Sequence, residues 1–358
     1  MSTRKNAVVR LIYKGSILAL LSIPAGSSWL FSASDMKSLS ALRDPERSRV
    51  LVEQARREGE LNFYTVVELG VSKSVAVAFE KKYGIRVNLT RASSDRLMTR
   101  FITEARAGKV QADIMENDAA ELTSMANQGY FEVISSPQLE RYPKDIAGPS
   151  RAWFGSRYTF YVLGYNTRLV NPQDIPKTYE DLLHPRWKGK MIIEAEDVDW
   201  FVALWNHWGE QKGPEYFRKL GQQDLLVRRG HTNITQLLSA GEAPVAITVY
   251  NHQVERLKKG GGPIEWLALE PVVARLGGVA VVKNPPHPAG ALLYFDFIFS
   301  VEGQSVLRNA GRSPTDPEVG SEPKGLSEGF KFIMVNPQLM VEKRKELNTL
   351  FQKVLKIQ

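Results

Sequence analysis

The 358-residue sequence contains no cysteine, and that absence closes several routes at once. Disulfide cross-links, thiolate metal centres and cysteine nucleophiles are all excluded. Also missing are H-E-x-x-H and G-x-S-x-G, the spacings of zinc proteases and of many serine hydrolases. No arginine-rich tract interleaved with aromatics supports nucleic-acid binding. There is no internal repeat and no low-complexity tract.

The apolar run near the N-terminus is short, reaching only from Ile17 to Ile23. It follows Arg4, Lys5, Arg10 and Lys14 and is succeeded by small residues, an order that predicts a secretory signal peptide over residues 1–34. Cleavage is expected between about residues 25 and 36, which sends the mature chain to the periplasm. An uncleaved anchor extending through Phe31 is the alternative. Residues 1–34 hold four basic side chains and no acid, so half of the net charge of +8 resides there and the remainder is only mildly basic. An exported protein without disulfides must be held by packing, and a chain of this size can do that.

What is present is a globular composition, with 43% hydrophobic and 24% charged residues. The length favours two domains. From Glu60 onward strand and helix patterns alternate: "LNFYTVV", then "SKSVAVAFEKKYG" closed by Gly84, "IRVNLTR", "SSDRLMTRFITEARAGK", "ADIMEND" and "AAELTSMANQGY". Such alternation predicts an α/β fold with a parallel sheet, in which ligands sit beyond the carboxyl ends of the strands. Those ends carry Tyr64, Thr65, Ser93, Ser94, Glu116 and Asp118. The serines also suit a helix N-cap.

A second unit begins near "RYTFYVLGYNTRLV", read as a strand crossing between domains, and "ARLGGVAVVKNPPHP" reads as a returning one. Between them, Trp200, Phe201, Leu204, Trp205 and Trp208 fall on one helical face and are expected to be core. "EAEDVDW" places Glu194, Glu196, Asp197 and Asp199 near a strand end, while "VRRGHTN" places Arg228, Arg229, His231 and Asn233 before a helix. The first group favours a cation and the second an anion. The segment "GEAPVAITVYNHQ" is a strand ending in Tyr250, Asn251 and His252.

The phrases "EGELNFYT", "YNTRLV", "PKTYEDLLHPRWKGKM", "LLSAGEAPVAI", "AVVKNPPHPAGALLYFDFIFSVEGQSVL" and "GRSP" occur in an order that resembles the extracellular solute-binding proteins of ATP-binding-cassette (ABC) importers, most of all the branch with the ferric-ion-binding proteins. The resemblance implies a type II periplasmic-binding fold, two α/β lobes joined by two crossing strands. It places lobe 1 at residues 58–155 plus 278–310, lobe 2 at 156–277, and a helical segment, 311–358, packing back on one lobe. It implies capture of a small solute by hinge closure, delivery to an ABC permease and ATPase, a monomeric receptor, and no catalysis or cofactor.

Ferric-binding members end the matched strand in two adjacent tyrosines. The matching positions here are Asn251 and His252, with Tyr250 one residue early, and strand alternation turns Tyr250 to the other face. The family's first-lobe histidine has no counterpart in "YTVVELG", and its carboxylate falls on Asp118. A small polar or charged organic solute is therefore expected over ferric iron, for which Asp118, Tyr250 and His252 would be the donors. The expected ligand contacts are Tyr64, Thr65, Ser93, Ser94 and Asp118 from one lobe and Arg229, His231, Asn233, Tyr250 and Asn251 from the other. Asn251 is expected to face the cleft and to matter for binding but not for stability. A hydrolase using a metal at Glu194, Asp197 and His231 is the rival class.

Overall fold

A computed structural model describes residues 36–357; the expected signal peptide lies outside them. Two helices, α1 (Met36–Ala41) and α2 (Glu46–Glu58), lead into the alternation β1 (Glu60–Thr65), α3 (Leu69–Tyr83), β2 (Arg86–Arg91), α4 (Ser94–Arg106), β3 (Ile114–Asp118) and α5 (Ala119–Asn127). β1 pairs parallel with both β2 and β3, as the alternation requires. Gly84 closes α3 in the left-handed region, φ 72°, where a side chain would be strained.

The long strand β4 (Phe154–Asn166) then carries the chain across. There follow β5 (Met191–Glu194), α6 (Val198–Leu220), β6 (Leu226–Arg228), α7 (His231–Ala240), β7 (Val245–Tyr250), α8 (Asn251–Lys259) and β8 (Ile264–Leu267). α6 is broken at Gly209, whose φ is 78°. β9 (Val272–Val281) returns the chain, followed by α9 (Pro288–Ile298), α10 (Val301–Asn309), β10 (Ser313–Pro314), β11 (Phe332–Met334) and α11 (Pro337–Leu355).

The main sheet runs β2-β1-β3-β9-β4-β7-β5-β6. β3 pairs antiparallel with β9, β9 with β4, and β4 with β7, so the two crossing strands fuse a parallel set on each side. Separate cores lie on either side. Phe63, Phe79, Tyr294 and Phe297 anchor one, and Trp200, Phe201, Tyr216 and Phe217 anchor another. The tryptophan stripe is core: Trp200 and Leu204 are buried, and Trp205 and Trp208 pack against them. α11 joins this second core through Met340, Phe351 and Leu355, with Phe351 5.5 Å from Phe201, while Arg344 reaches Glu121 on α5. No helix among the described residues is long and apolar enough to cross a membrane.

Candidate functional site

Where the crossing strands meet the strand ends of both sides, a cavity of about 170 Å³ opens. Arg91 reaches it from the end of β2, Arg157 and Thr159 from β4, Arg275 from β9, and Arg312 from the segment before β10. Opposing them are Glu68 and Asp118, with Tyr250, His252, Thr232 and Gln253 on the remaining wall. Two of these guanidiniums are neutralised locally. Arg157 pairs with the buried Glu116 at 2.6 Å, whose other oxygen accepts the Thr65 hydroxyl, and Arg312 pairs with Glu68. Gly277 makes room for Arg157, because a Cβ there would collide with the guanidinium.

Arg275 is the centre of the site. It donates to the Tyr250 hydroxyl at 2.7 Å and lies 3.4 Å from Asp118 and 3.9 Å from Asp199. Burial works against its charge, but Asp118, Tyr161, Tyr250 and Asp199 more than offset that and raise its pKa. Burial pushes the Tyr250 phenol well up despite Arg275, so the side chain is a neutral phenol at neutral pH. His252 is driven the other way, down to about 3, by burial and by the positive charges of Arg256, Arg157 and Arg275. Its neutral ring accepts from Arg312 through Nε2. Burial lowers Arg312 to about 10, which leaves it charged. A second cavity of about 450 Å³ shares His252 and Arg312 and adds Arg256, Lys259 and Arg308 against Glu255 and Glu322.

Of the residues expected from the sequence, the structure brings Asp118 and Tyr250 to this cavity, together with His252. His231 stands behind them, its ring centroid 3.9 Å from that of Tyr250. The others go elsewhere. Tyr64 is buried beneath α4, with its hydroxyl donating to Glu104 at 2.8 Å, and Thr65 is wholly buried on Glu116. Ser93 is exposed at the start of α4 and Ser94 donates to Asn117 Oδ1 at 2.9 Å. Arg229 is exposed and paired with Glu196, because β6 ends before it and Gly230, φ 83°, then turns the chain. Asn233 is exposed and bonds back to the Arg229 carbonyl at 3.3 Å.

The expectation for Asn251 is corrected. The residue is 1% exposed, its amide donates to the Leu326 carbonyl at 2.7 Å, and its oxygen accepts the His252 N–H. β7 ends at Tyr250 and α8 begins at Asn251, so the side chain locks the 326 loop to a helix start instead of facing the cleft. Sequence reasoning missed Arg157 and Arg275, although each is the one charged residue of its strand. That isolation was the available signal, since burying a charge is costly unless it is paired.

A family model described as bacterial extracellular solute-binding protein matches residues 113–338. Iron uptake protein A1 of Synechocystis sp. is 26% identical over 269 residues, covering 69% of this chain and 73% of that one. Among solved structures, a Trichodesmium protein in complex with iron and citrate ligands superposes with a TM-score of 0.70 at 22% identity, covering 83% of this chain and 99% of that one. The periplasmic binding protein AfuA from Actinobacillus pleuropneumoniae, with exogenous fructose-6-phosphate bound, gives 0.70 at 21% identity, with coverages of 84% and 100%. At these identities the structures establish the fold, which is the type II periplasmic-binding fold. This chain belongs to the bacterial extracellular solute-binding proteins, the transport receptors that serve ABC importers.

Proposed function

We propose that the solute is a small anion, a phosphorylated or polycarboxylic compound, held in the 170 Å³ cavity between the two sides of the sheet. The observation that carries this reading is the convergence of four guanidiniums on one cavity, of which Arg91 pairs with no carboxylate among the described residues. Guanidinium forks match phosphate and carboxylate oxygens and form charge-assisted bonds with them. Thr159, Thr232 and Tyr250 add neutral hydroxyls. The neutral His252 imidazole and Tyr250 phenol bring no negative charge to oppose an anion.

Lobe 1 is residues 58–155 plus 278–310 and lobe 2 is 156–277, with closure about β4 and β9. Distinct cores on either side of the crossing strands support closure about those strands. The receptor works as an exported monomer that hands its solute to a permease driven by an ATPase. N-terminal sequencing of the exported chain tests the leader, and scattering with and without solute tests closure.

Ferric iron is the second reading, favoured by one observation: Glu68, Asp118, Tyr250 and His252 all line the same cavity. Against it, the Tyr250 hydroxyl is bonded to the Arg275 guanidinium, a cation that would stand beside the metal, and the next donor is an imidazole, whereas a hard trivalent ion favours anionic oxygen donors. A calorimetric screen of sugar phosphates, citrate, ferric citrate and ferric nitrilotriacetate separates the readings. Tight binding of a metal-free anion supports ours. Binding of iron alone, with a visible charge-transfer band abolished by Tyr250→Phe, overturns it.

A further inference from the structure

Behind the wall formed by Tyr250 lies a cluster that the solute site does not use. Glu194 ends β5, Asp197 precedes the first residue of α6, and His231 opens α7. One donor atom from each falls within 4.8 Å of the others. Asp197 Oδ1 and His231 Nε2 are 3.0 Å apart. That separation is the edge a shared ion would span at about 2.0–2.2 Å from each atom.

One orphaned atom points the same way: Asp197 is 2% exposed, yet its Oδ2 has no hydrogen-bond partner among the described residues and is left free for a second bond to the same ion. Native proteins leave few buried polar atoms unpartnered, and each asks for a cause. Glu194, by contrast, is already oriented: Oε1 accepts the Gly230 N–H at 3.0 Å and Oε2 the Glu196 N–H at 2.5 Å. Such outer contacts are what aim a carboxylate at a metal.

We infer that Glu194, Asp197 and His231 form a binding site for one divalent first-row cation such as zinc, separate from the solute cavity. One imidazole and two carboxylates are a zinc-type donor set, since calcium and magnesium favour all-oxygen shells. None of the three residues lines the solute cavity, whereas Thr232 and Tyr250, which do, are respectively next in sequence to and packed against His231. The cation would therefore brace the second-lobe wall from behind, and the inference stands whatever the solute proves to be.

The test is calorimetric titration of zinc into protein stripped with a chelator and dialysed, with cobalt absorption to report imidazole ligation. One zinc per chain is expected. Asp197→Asn and His231→Ala should each weaken it by about a hundredfold or more, while His252→Ala and Asp118→Asn, at the solute cavity, change it by less than about threefold. Far-UV dichroism establishes that each variant is folded, and Glu194→Gln supplies a third if one is not. Absence of stoichiometric uptake, or loss of uptake in His252→Ala with retention in His231→Ala, overturns the inference.

Discussion

The end of β1 and the end of β7 carry the same kind of message, a tyrosine followed by a small polar residue, yet they serve opposite purposes. At β1 both side chains are consumed internally, Tyr64 by Glu104 on α4 and Thr65 by Glu116 on β3. At β7 Tyr250 reaches Arg275 on a crossing strand and faces the cavity, while Asn251 turns away to Leu326. Position at a strand end brings a side chain near the cleft. The partner that captures its polar atom decides whether it enters.

The largest test of this contrast removes the partner. Arg275→Met leaves Asp118 and Asp199 without their shared counter-charge and frees the Tyr250 hydroxyl. We expect solute affinity to fall by about a hundredfold or more, read by calorimetry, because charge-assisted contacts in a desolvated site cost about 2–5 kcal/mol when truncated. An affinity within about threefold of the parent would show that the cavity is not the site.

Asn251→Ala should act on folding instead. It strands the buried Leu326 carbonyl, costing about 1–3 kcal/mol in urea unfolding, with solute affinity changed much less. A large affinity loss at unchanged stability would return Asn251 to the cleft. The two tyrosines then form a pair with crossed outcomes. Tyr250→Phe should weaken solute binding by about tenfold and leave unfolding nearly unchanged, whereas Tyr64→Phe should cost about 1 kcal/mol of stability and leave binding alone.

The smallest effect concerns pH. Glu121 on α5 is pushed up to about 7 by burial and by the nearby Asp118 and Asp199, against the pull of Arg344. Its folded pKa lies above the unfolded value, so its neutral form stabilises the fold at low pH and that contribution is lost as pH rises toward and through 7. Comparing melting temperatures at pH 5 and pH 8, Glu121→Gln should shrink the decline. An unchanged pH slope would show that Arg344 fully compensates the charge.

Much of the fold was legible because its signals are periodic. Alternation in "LNFYTVV" and "IRVNLTR", a helical stripe through Trp200 to Trp208 and the terminating Gly84 each reflect one local rule. The site was legible only as a location. Asn251 was misplaced because the strand matched to the family was carried past Tyr250, where β7 ends and α8 begins. Arg157 and Arg275 were absorbed into strands read as connectors, and Arg312 was noticed only as part of "GRSP". Which of many charged groups a fold brings together depends on contacts more than a hundred residues apart, such as Ser156 to Gly277, which no local pattern encodes.

The grip of α11 differs on its two sides. Toward α5, beside the buried Met340, it adds polar contacts, Arg344 to Glu121 and Gln338 to Asn127, with Arg344 and Asn127 at the surface. Toward α6 it is welded by Phe351, Leu355 and Ile357, all buried. Surface ion pairs and hydrogen bonds are worth about 0–1 kcal/mol each, and a buried aromatic several times that. The C-terminal helix is thus a tail clipped to α5 by a fastener that salt weakens, since screening acts on the exposed Arg344 end of the pair.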